Sequence, residues 1–161
     1  MLKKVLIILL FLASVLLAQN FSKIELNDLS GNTFAFAENL NYDATIVTFW
    51  ATWCLPCQKE HVALQELKEK YGDRLLVIAI STDSPRSMAK VKSYARSRKY
   101  DFVFLVDPDR EVASELLVNE IPQTFVLDRN GKVVYHHTGY RKGDEIELEK
   151  ELLKVWQQEQ K

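Results

Sequence analysis

The chain has 161 residues, 47% of them hydrophobic, with 21 basic against 22 acidic side chains and a formal net charge of -1. That length and apolar content fit one domain with a sizeable core. The charge balance gives no electrostatic basis for binding nucleic acid or an anionic membrane.

The first residues carry a short basic head, Lys3 and Lys4, followed by an almost unbroken apolar run that closes at Ala18. This is the layout of a secretory signal, and the run is short for a bilayer span. Residues 1–18 are therefore expected to be a signal peptide cleaved after Ala18, or a membrane anchor if retained. Residues 19–161 are expected to form one domain outside the cytoplasm, where disulfides persist.

Beyond the leader, short apolar strands alternate with amphipathic helices. Ile24 and Leu26, then Phe34 and Phe36, alternate around Ser30-Gly31-Asn32 and predict a hairpin. Residues 45–50 are β-branched and aromatic, a strand; residues 58–71 form a helix with Leu64, Leu67 and Tyr71 on one face. Residues 75–80 are apolar throughout, as expected of a parallel strand covered on both faces. Ser84-Pro85 has the pattern of an N-cap followed by a first-turn proline, and the helix it opens turns Met88, Val91 and Ala95 inward. Its Arg86, Lys90, Lys92, Arg96, Arg98 and Lys99 form a solvated face. A buried strand over 102–106, a short helix with Val112, Leu116 and Leu117, and a hairpin around Asn130-Gly131 follow. The last helix, over 144–158, is expected to bury Ile146, Leu153 and Trp156. Strands alternating with helices and a closing hairpin predict an α/β domain with a mixed central sheet.

Both cysteines lie in the stretch "FWATWCLPCQKE", as Cys54 and Cys57. A disulfide stabilises mainly by closing a loop, and this one closes almost nothing. Zinc needs about four ligands, and His61, His136 and His137 are not spaced to supply the rest. Haem attachment requires a histidine directly after the second cysteine, where Gln58 stands. Redox chemistry remains. Cys54 falls where a strand ends and a helix begins, so unpaired backbone N–H groups and the helix dipole favour its thiolate. Cys57, one turn further in, should be more shielded. Cys54 would then attack a partner's disulfide and Cys57 would resolve the mixed disulfide. Pro56 is tolerated in a first helical turn, where its missing N–H is not needed.

"FWATWCLPC" resembles the active-site motif of thioredoxin-fold proteins, and specifically of the exported TlpA-like/ResA-like thiol-disulfide oxidoreductases. The resemblance extends from about Phe21 to the last helix. It takes in the "VIAISTDSP" strand and turn, an extra strand and helix around residues 85–118, and "IPQTFVLDRNGKVV", similar to the family's cis-proline loop and closing hairpin. It implies a thioredoxin-like fold, with Ile121-Pro122 a cis peptide facing the cysteines and the Ile121 backbone pairing with a bound substrate chain. Thioredoxin itself has a buried aspartate two residues before the first motif tryptophan; Thr48 stands there instead. Glu60, three residues after Cys57, matches a glutamate of the ResA-like group, and a carboxylate there can accept the Cys57 proton, especially if burial raises its pKa. Val62 replaces a proline common in that group.

Trp53 is expected to cover the disulfide and touch substrate, Trp50 to pack in the core, and His61 to lie on the surface. Neither a cofactor nor a metal is expected. The resemblance implies a monomeric reductant of exported disulfide-bearing proteins, apocytochrome c among them, at the outer face of the cytoplasmic membrane or in the periplasm. A membrane thiol-electron transporter would supply its electrons. Three alternatives are weighed against this. A thiol oxidase of the strong type carries a histidine beside the second cysteine, where Pro56 stands. A peroxidase of the peroxiredoxin kind needs a threonine three residues before the reactive cysteine, where Ala51 stands. A Cu(I)-binding module suits two soft thiolates, but related copper chaperones use a wider C-x-x-x-C pair with a histidine.

Overall fold

A computed structural model describes residues 20–158 of the chain; the expected leader lies outside the described residues. A single mixed sheet of seven strands runs in the order β2-β1-β5-β4-β3-β6-β7. The strands are β1 (Glu25–Asp28), β2 (Thr33–Ala35), β3 (Ala44–Trp50), β4 (Leu75–Ser81), β5 (Val103–Val106), β6 (Gln123–Leu127) and β7 (Val133–Thr138). The helices are α1 (Phe36–Asn39), α2 (Leu55–Tyr71), α3 (Met88–Arg98), α4 (Glu111–Glu115) and α5 (Asp144–Gln158). This is the thioredoxin-like α/β architecture, with the β1–β2 hairpin and, within the α3–β5–α4 stretch, an extra strand and helix added.

Every residue of β3 and β4 is buried. The two pair in parallel at the sheet's centre, where both faces are covered and continuous apolar runs are required. Side-chain alternation then sorts β3. Val47 and Phe49 join Phe21, Phe36, Ile78, Leu105 and Phe125 on one face. Ile46 packs with Leu64, Val77, Leu152 and Trp156 on the other, beneath α2 and α5. Trp50 closes that second face with Ala79, Val91 and Phe104.

The opening hairpin forms because Asp28 accepts backbone hydrogen bonds from Ser30 and Asn32 at 2.7 and 2.9 Å, while Gly31 takes φ +91°, a conformation glycine adopts without steric cost. Phe36 departs from the expected strand and starts α1. The helix after Ser84 also begins late: Pro85–Ser87 is a 3-10 turn, Ser84 makes no capping bond through its side chain, and α3 starts at Met88. The short helix ends at Glu115, before Leu116 and Leu117, and Leu117 takes φ +57° and is exposed.

The last helix is rotated from expectation. Leu148, Leu152, Val155 and Trp156 are buried, whereas Ile146 and Leu153 keep 58% and 41% of their surface exposed. Counting back four and eight residues from Trp156 gives Leu152 and Leu148, one continuous helical stripe. Ile146 and Leu153 lie beside that stripe.

Candidate active site

The site grows from the C-terminal end of β3. The chain turns as the Cys54 amide donates to the Ala51 carbonyl at 3.0 Å, and Cys54 takes an extended conformation, φ -86° and ψ 99°, as the N-cap of α2. Helix α2 therefore begins at Leu55, three residues earlier than predicted, with Pro56 in its first turn. The Cys57 amide donates to Cys54 Sγ at 3.3 Å. An N-cap side chain normally supplies an oxygen for this bond; here it is the sulfur. Cys54 and Cys57 are joined in a disulfide, with Cys54 5% exposed and Cys57 fully buried. Once the pair is reduced, the sulfur nearer solvent is also the one at the positive end of a 17-residue helix, the setting that lowers a thiol's pKa.

The cis Ile121-Pro122 peptide forms the facing wall. The Ile121 carbonyl oxygen lies 3.8 Å from Cys54 Sγ, and the Pro122 carbonyl accepts from the Gly139 amide at 2.7 Å, tying the loop to the segment after β7. Trp53 and Leu55, which flank Cys54, keep 72% and 68% of their surface exposed.

Between β3, β6 and α2 lies a buried polar network. The β3–β6 register sets Thr48 directly opposite Thr124, and α2 lowers Glu60 onto the pair. The Thr48 hydroxyl donates to Glu60 Oε2 at 2.7 Å, the Thr124 hydroxyl is 2.7 Å from Glu60 Oε1, and the two hydroxyls are 3.1 Å apart. Each hydroxyl has only one hydrogen to donate. With Glu60 ionised, both hydrogens point at the carboxylate and the hydroxyl–hydroxyl contact has none. With Glu60 protonated, the acid donates to Thr124, Thr124 to Thr48 and Thr48 back to the acid, and all three contacts are satisfied. Burial, opposed by the hydrogen bonds from Thr124 and Thr48, pushes the Glu60 pKa up to about 7. The carboxyl borders a cavity of about 10 Å³ that also touches Tyr140 and His137.

His61 is not a surface residue. It is fully buried because the α2 face that carries it packs on Trp50, Tyr94, Tyr100, Phe102 and Phe104. Its Nδ1 pairs with the Tyr94 hydroxyl at 3.0 Å, and its Nε2 has no hydrogen-bond partner among the described residues. Burial, with a smaller contribution from Arg98, depresses its pKa to about 3. The imidazole is thus a neutral member of an aromatic box under Trp50. His136 and His137 lie on the edge strand β7, with His137 Nε2 3.1 Å from Asp144.

Sequence reasoning missed two residues that hold the redox turn. Asp83, buried just beyond β4, accepts from the Thr52 amide at 2.8 Å and the Thr52 hydroxyl at 2.7 Å. Gln58 Nε2 donates to the Thr52 carbonyl at 2.9 Å. The available signal was the acidic residue in "ISTDSP", three positions beyond the apolar run over 75–80.

A disulfide at the N-terminus of a helix, faced by a cis-proline loop on a mixed sheet, defines a thioredoxin-like redox domain. The family model described as "AhpC/TSA family" matches residues 17–136, and the chain belongs to that family. It is 32% identical over 108 residues to the thioredoxin-like protein YneN of Bacillus subtilis, covering 66% of this chain and 63% of that one. It is 30% identical over 125 residues to the thiol-disulfide oxidoreductase ResA of Bacillus cereus, covering 78% and 65% respectively. The chain thus spans just under two thirds of the length of these curated relatives. The solution structure of an uncharacterized thioredoxin-like protein from Porphyromonas gingivalis superimposes with a TM-score of 0.73 at 30% identity, over 86% of this chain and 95% of that one.

Proposed function

We propose that the chain is an extracytoplasmic thiol-disulfide oxidoreductase that reduces disulfides in partner proteins. The reading rests chiefly on Cys54 as a sulfur N-cap, which receives the Cys57 amide and is the more exposed of the two. In the reduced protein the Cys54 thiolate attacks one sulfur of a partner disulfide. The Cys54–partner bond forms, the partner's S–S bond breaks, and one partner thiolate leaves. Glu60, in its ionised form, takes the Cys57 proton. The Cys57 thiolate attacks Cys54 Sγ, the second partner thiolate leaves, and the Cys54–Cys57 disulfide remains. Two electrons pass to the partner, and a thiol donor restores them. Ile121 and Pro122 would align the partner backbone, with Trp53 supplying apolar contact beside it.

The similarity to ResA supports the reaction class, and the leader-like N-terminal run supports export. The haem-binding cysteines of an apocytochrome c, which must be thiols, are the substrate class this reading favours. The reducing direction draws support from Leu55-Pro56 between the cysteines, which lacks the histidine that strong oxidants carry beside the second cysteine. Among the described residues no helix is long and apolar enough to cross a membrane; an anchor, if retained, would lie in residues 1–18. The Thr52 hydroxyl, the one nearest Cys54 in sequence, is engaged by Asp83, which leaves the peroxidase alternative without a peroxide-binding hydroxyl from this turn.

The test is a redox titration of the pair at neutral pH, combined with trapping by Cys57→Ser. A potential at or below about -270 mV, and mixed disulfides retained by Cys57→Ser but not by Cys54→Ser, are expected of a reductant. A potential near about -120 mV would reverse the direction and make the protein a disulfide donor.

A further inference from the structure

The turn between β3 and α2 has no regular secondary structure of its own, yet it must present Cys54 in one orientation. Thr52 lies at its centre, and side chains from elsewhere occupy both of its backbone polar groups. Gln58 takes the carbonyl and Asp83 takes the amide. Asp83 also accepts from the Thr52 hydroxyl at 2.7 Å and from the Ser81 hydroxyl at 2.9 Å. The Ser81 hydroxyl in turn accepts from the Asp83 amide at 3.1 Å. Two residues earlier, at the end of β3, the Trp50 carbonyl accepts from both the amide and the hydroxyl of Thr82, at 2.9 and 3.2 Å. The segment just after β4 therefore grips the chain at Trp50 and again at Thr52, and Asp83 provides the fuller hold, taking both the amide and the hydroxyl of Thr52.

We infer that Asp83 is a positioning residue for the thiol chemistry. By pinning Thr52 inward it turns Trp53 outward and fixes the backbone that aims Cys54 Sγ at the Cys57 amide. Asp83 does not touch the sulfurs; it acts through Thr52. The inference rests on the redox reading given above for its functional meaning, but its geometric claim concerns the Cys54 thiolate alone.

The pattern of donors allows geometry and charge to be separated. Asp83 Oδ2 receives the Thr52 amide and the Ser81 hydroxyl, whereas Oδ1 receives only the Thr52 hydroxyl. An asparagine with its oxygen at the Oδ2 position keeps the first two bonds. Its amide donates to the Thr52 hydroxyl, which can accept instead. Asp83→Asn thus keeps the clasp and removes the charge, Asp83→Ala removes both, and Thr52→Val removes one bond of the clasp.

The measurement is the pH dependence of iodoacetamide alkylation of Cys54 in the reduced full chain carrying Cys57→Ser, so that one thiol reports. Circular dichroism of each variant checks the fold. For Asp83→Ala the midpoint is expected to rise by about one pH unit and the rate at pH 6 to fall roughly tenfold, the scale of one misaligned hydrogen bond to a thiolate. Asp83→Asn is expected to stay within about threefold of the parent, and Thr52→Val to fall between the two. A folded Asp83→Ala with the parental profile overturns the inference. So do equal shifts in Asp83→Asn and Asp83→Ala, because the effect would then not follow the clasp; a shared downward shift would mark the lost negative charge as the cause. If Asp83→Ala does not fold, Thr52→Val decides, and a parental profile there overturns the inference. A chain with no disulfide reductase activity refutes the proposed function instead, because the alkylation profiles are read independently of any partner.

Discussion

Replacing Glu60 by glutamine tests the buried ring directly. Burial holds the Glu60 carboxyl at a pKa of about 7 against an ordinary 4.5, so the folded chain binds this proton more tightly than the unfolded chain does. The resulting stabilisation is complete below pH 4.5 and is lost as pH rises through 7. A shift of that size corresponds to about 3 kcal/mol between the two limits. The amide of Glu60→Gln donates to Thr124 and accepts from Thr48, as the protonated acid does, and it has no proton to lose. Urea unfolding of the oxidised wild type and of Glu60→Gln, followed by circular dichroism from pH 4 to 8.5, gives two stability curves. Subtracting them cancels the other titrating groups. Glu60→Gln is expected to gain about 3 kcal/mol on the wild type across this range, with most of the gain between pH 4.5 and 7.5. Parallel curves would refute the ring and the pKa assigned to it.

The same substitution should slow resolution of a Cys54–partner mixed disulfide by about a hundredfold at pH 7, the loss typical of removing a positioned proton acceptor, as timed by release of a fluorescent model peptide. His61 has the opposite linkage. Its pKa falls from 6.5 to about 3 on folding, so stability present above pH 6.5 is lost as pH drops toward 3, on the order of 5 kcal/mol at the limit. His61→Phe removes that loss, and its acid-unfolding midpoint should move to lower pH; an unchanged midpoint would show that the imidazole reaches solvent. In α5, Leu152→Ala should cost about 2–5 kcal/mol and Leu153→Ala under about 1 kcal/mol in urea unfolding. The reverse order would restore the helix face predicted from sequence.

The sheet was readable because strands buried on both faces have few alternatives. A run such as residues 75–80 admits little else, and Asn130-Gly131 between two apolar segments signals a hairpin by itself. The α5 face was misassigned because its sequence carries two overlapping apolar stripes, and only packing against β3 and α2 selects one. His61 failed for a related reason. Its helix is dense in charge, and of the aromatic residues that bury it only Trp50 is near in sequence; Tyr94, Tyr100, Phe102 and Phe104 come from the stretch running from α3 into β5, more than thirty positions away. The cysteines could be identified from local chemistry, since the strand end and the helix start lie within a few residues of them. Glu60 could be named only through a family resemblance, and its ring could not be drawn at all. Thr48 and Thr124 are 76 residues apart and become neighbours only through the antiparallel β3–β6 register. Asp83 went unnoticed because a single aspartate after a strand reads as an ordinary turn residue.

The ring also accounts for the threonine in β3. An acid at position 48 would place a second carboxyl within hydrogen-bonding distance of Glu60, and two carboxyls so close cannot both ionise. Thr48 avoids that conflict: its hydroxyl donates to an ionised Glu60 and both accepts and donates when Glu60 is protonated. The buried carboxyl then sits on α2 itself, one turn beyond Cys57, where i and i+3 side chains share a face. Any movement of α2 that carries Cys57 carries Glu60 with it. The strand fixes only the two hydroxyls, whose hydrogens reverse direction without displacing a heavy atom. Proton uptake by Glu60 therefore needs little rearrangement of the backbone that holds the cysteines, as the proposed role for this acid requires.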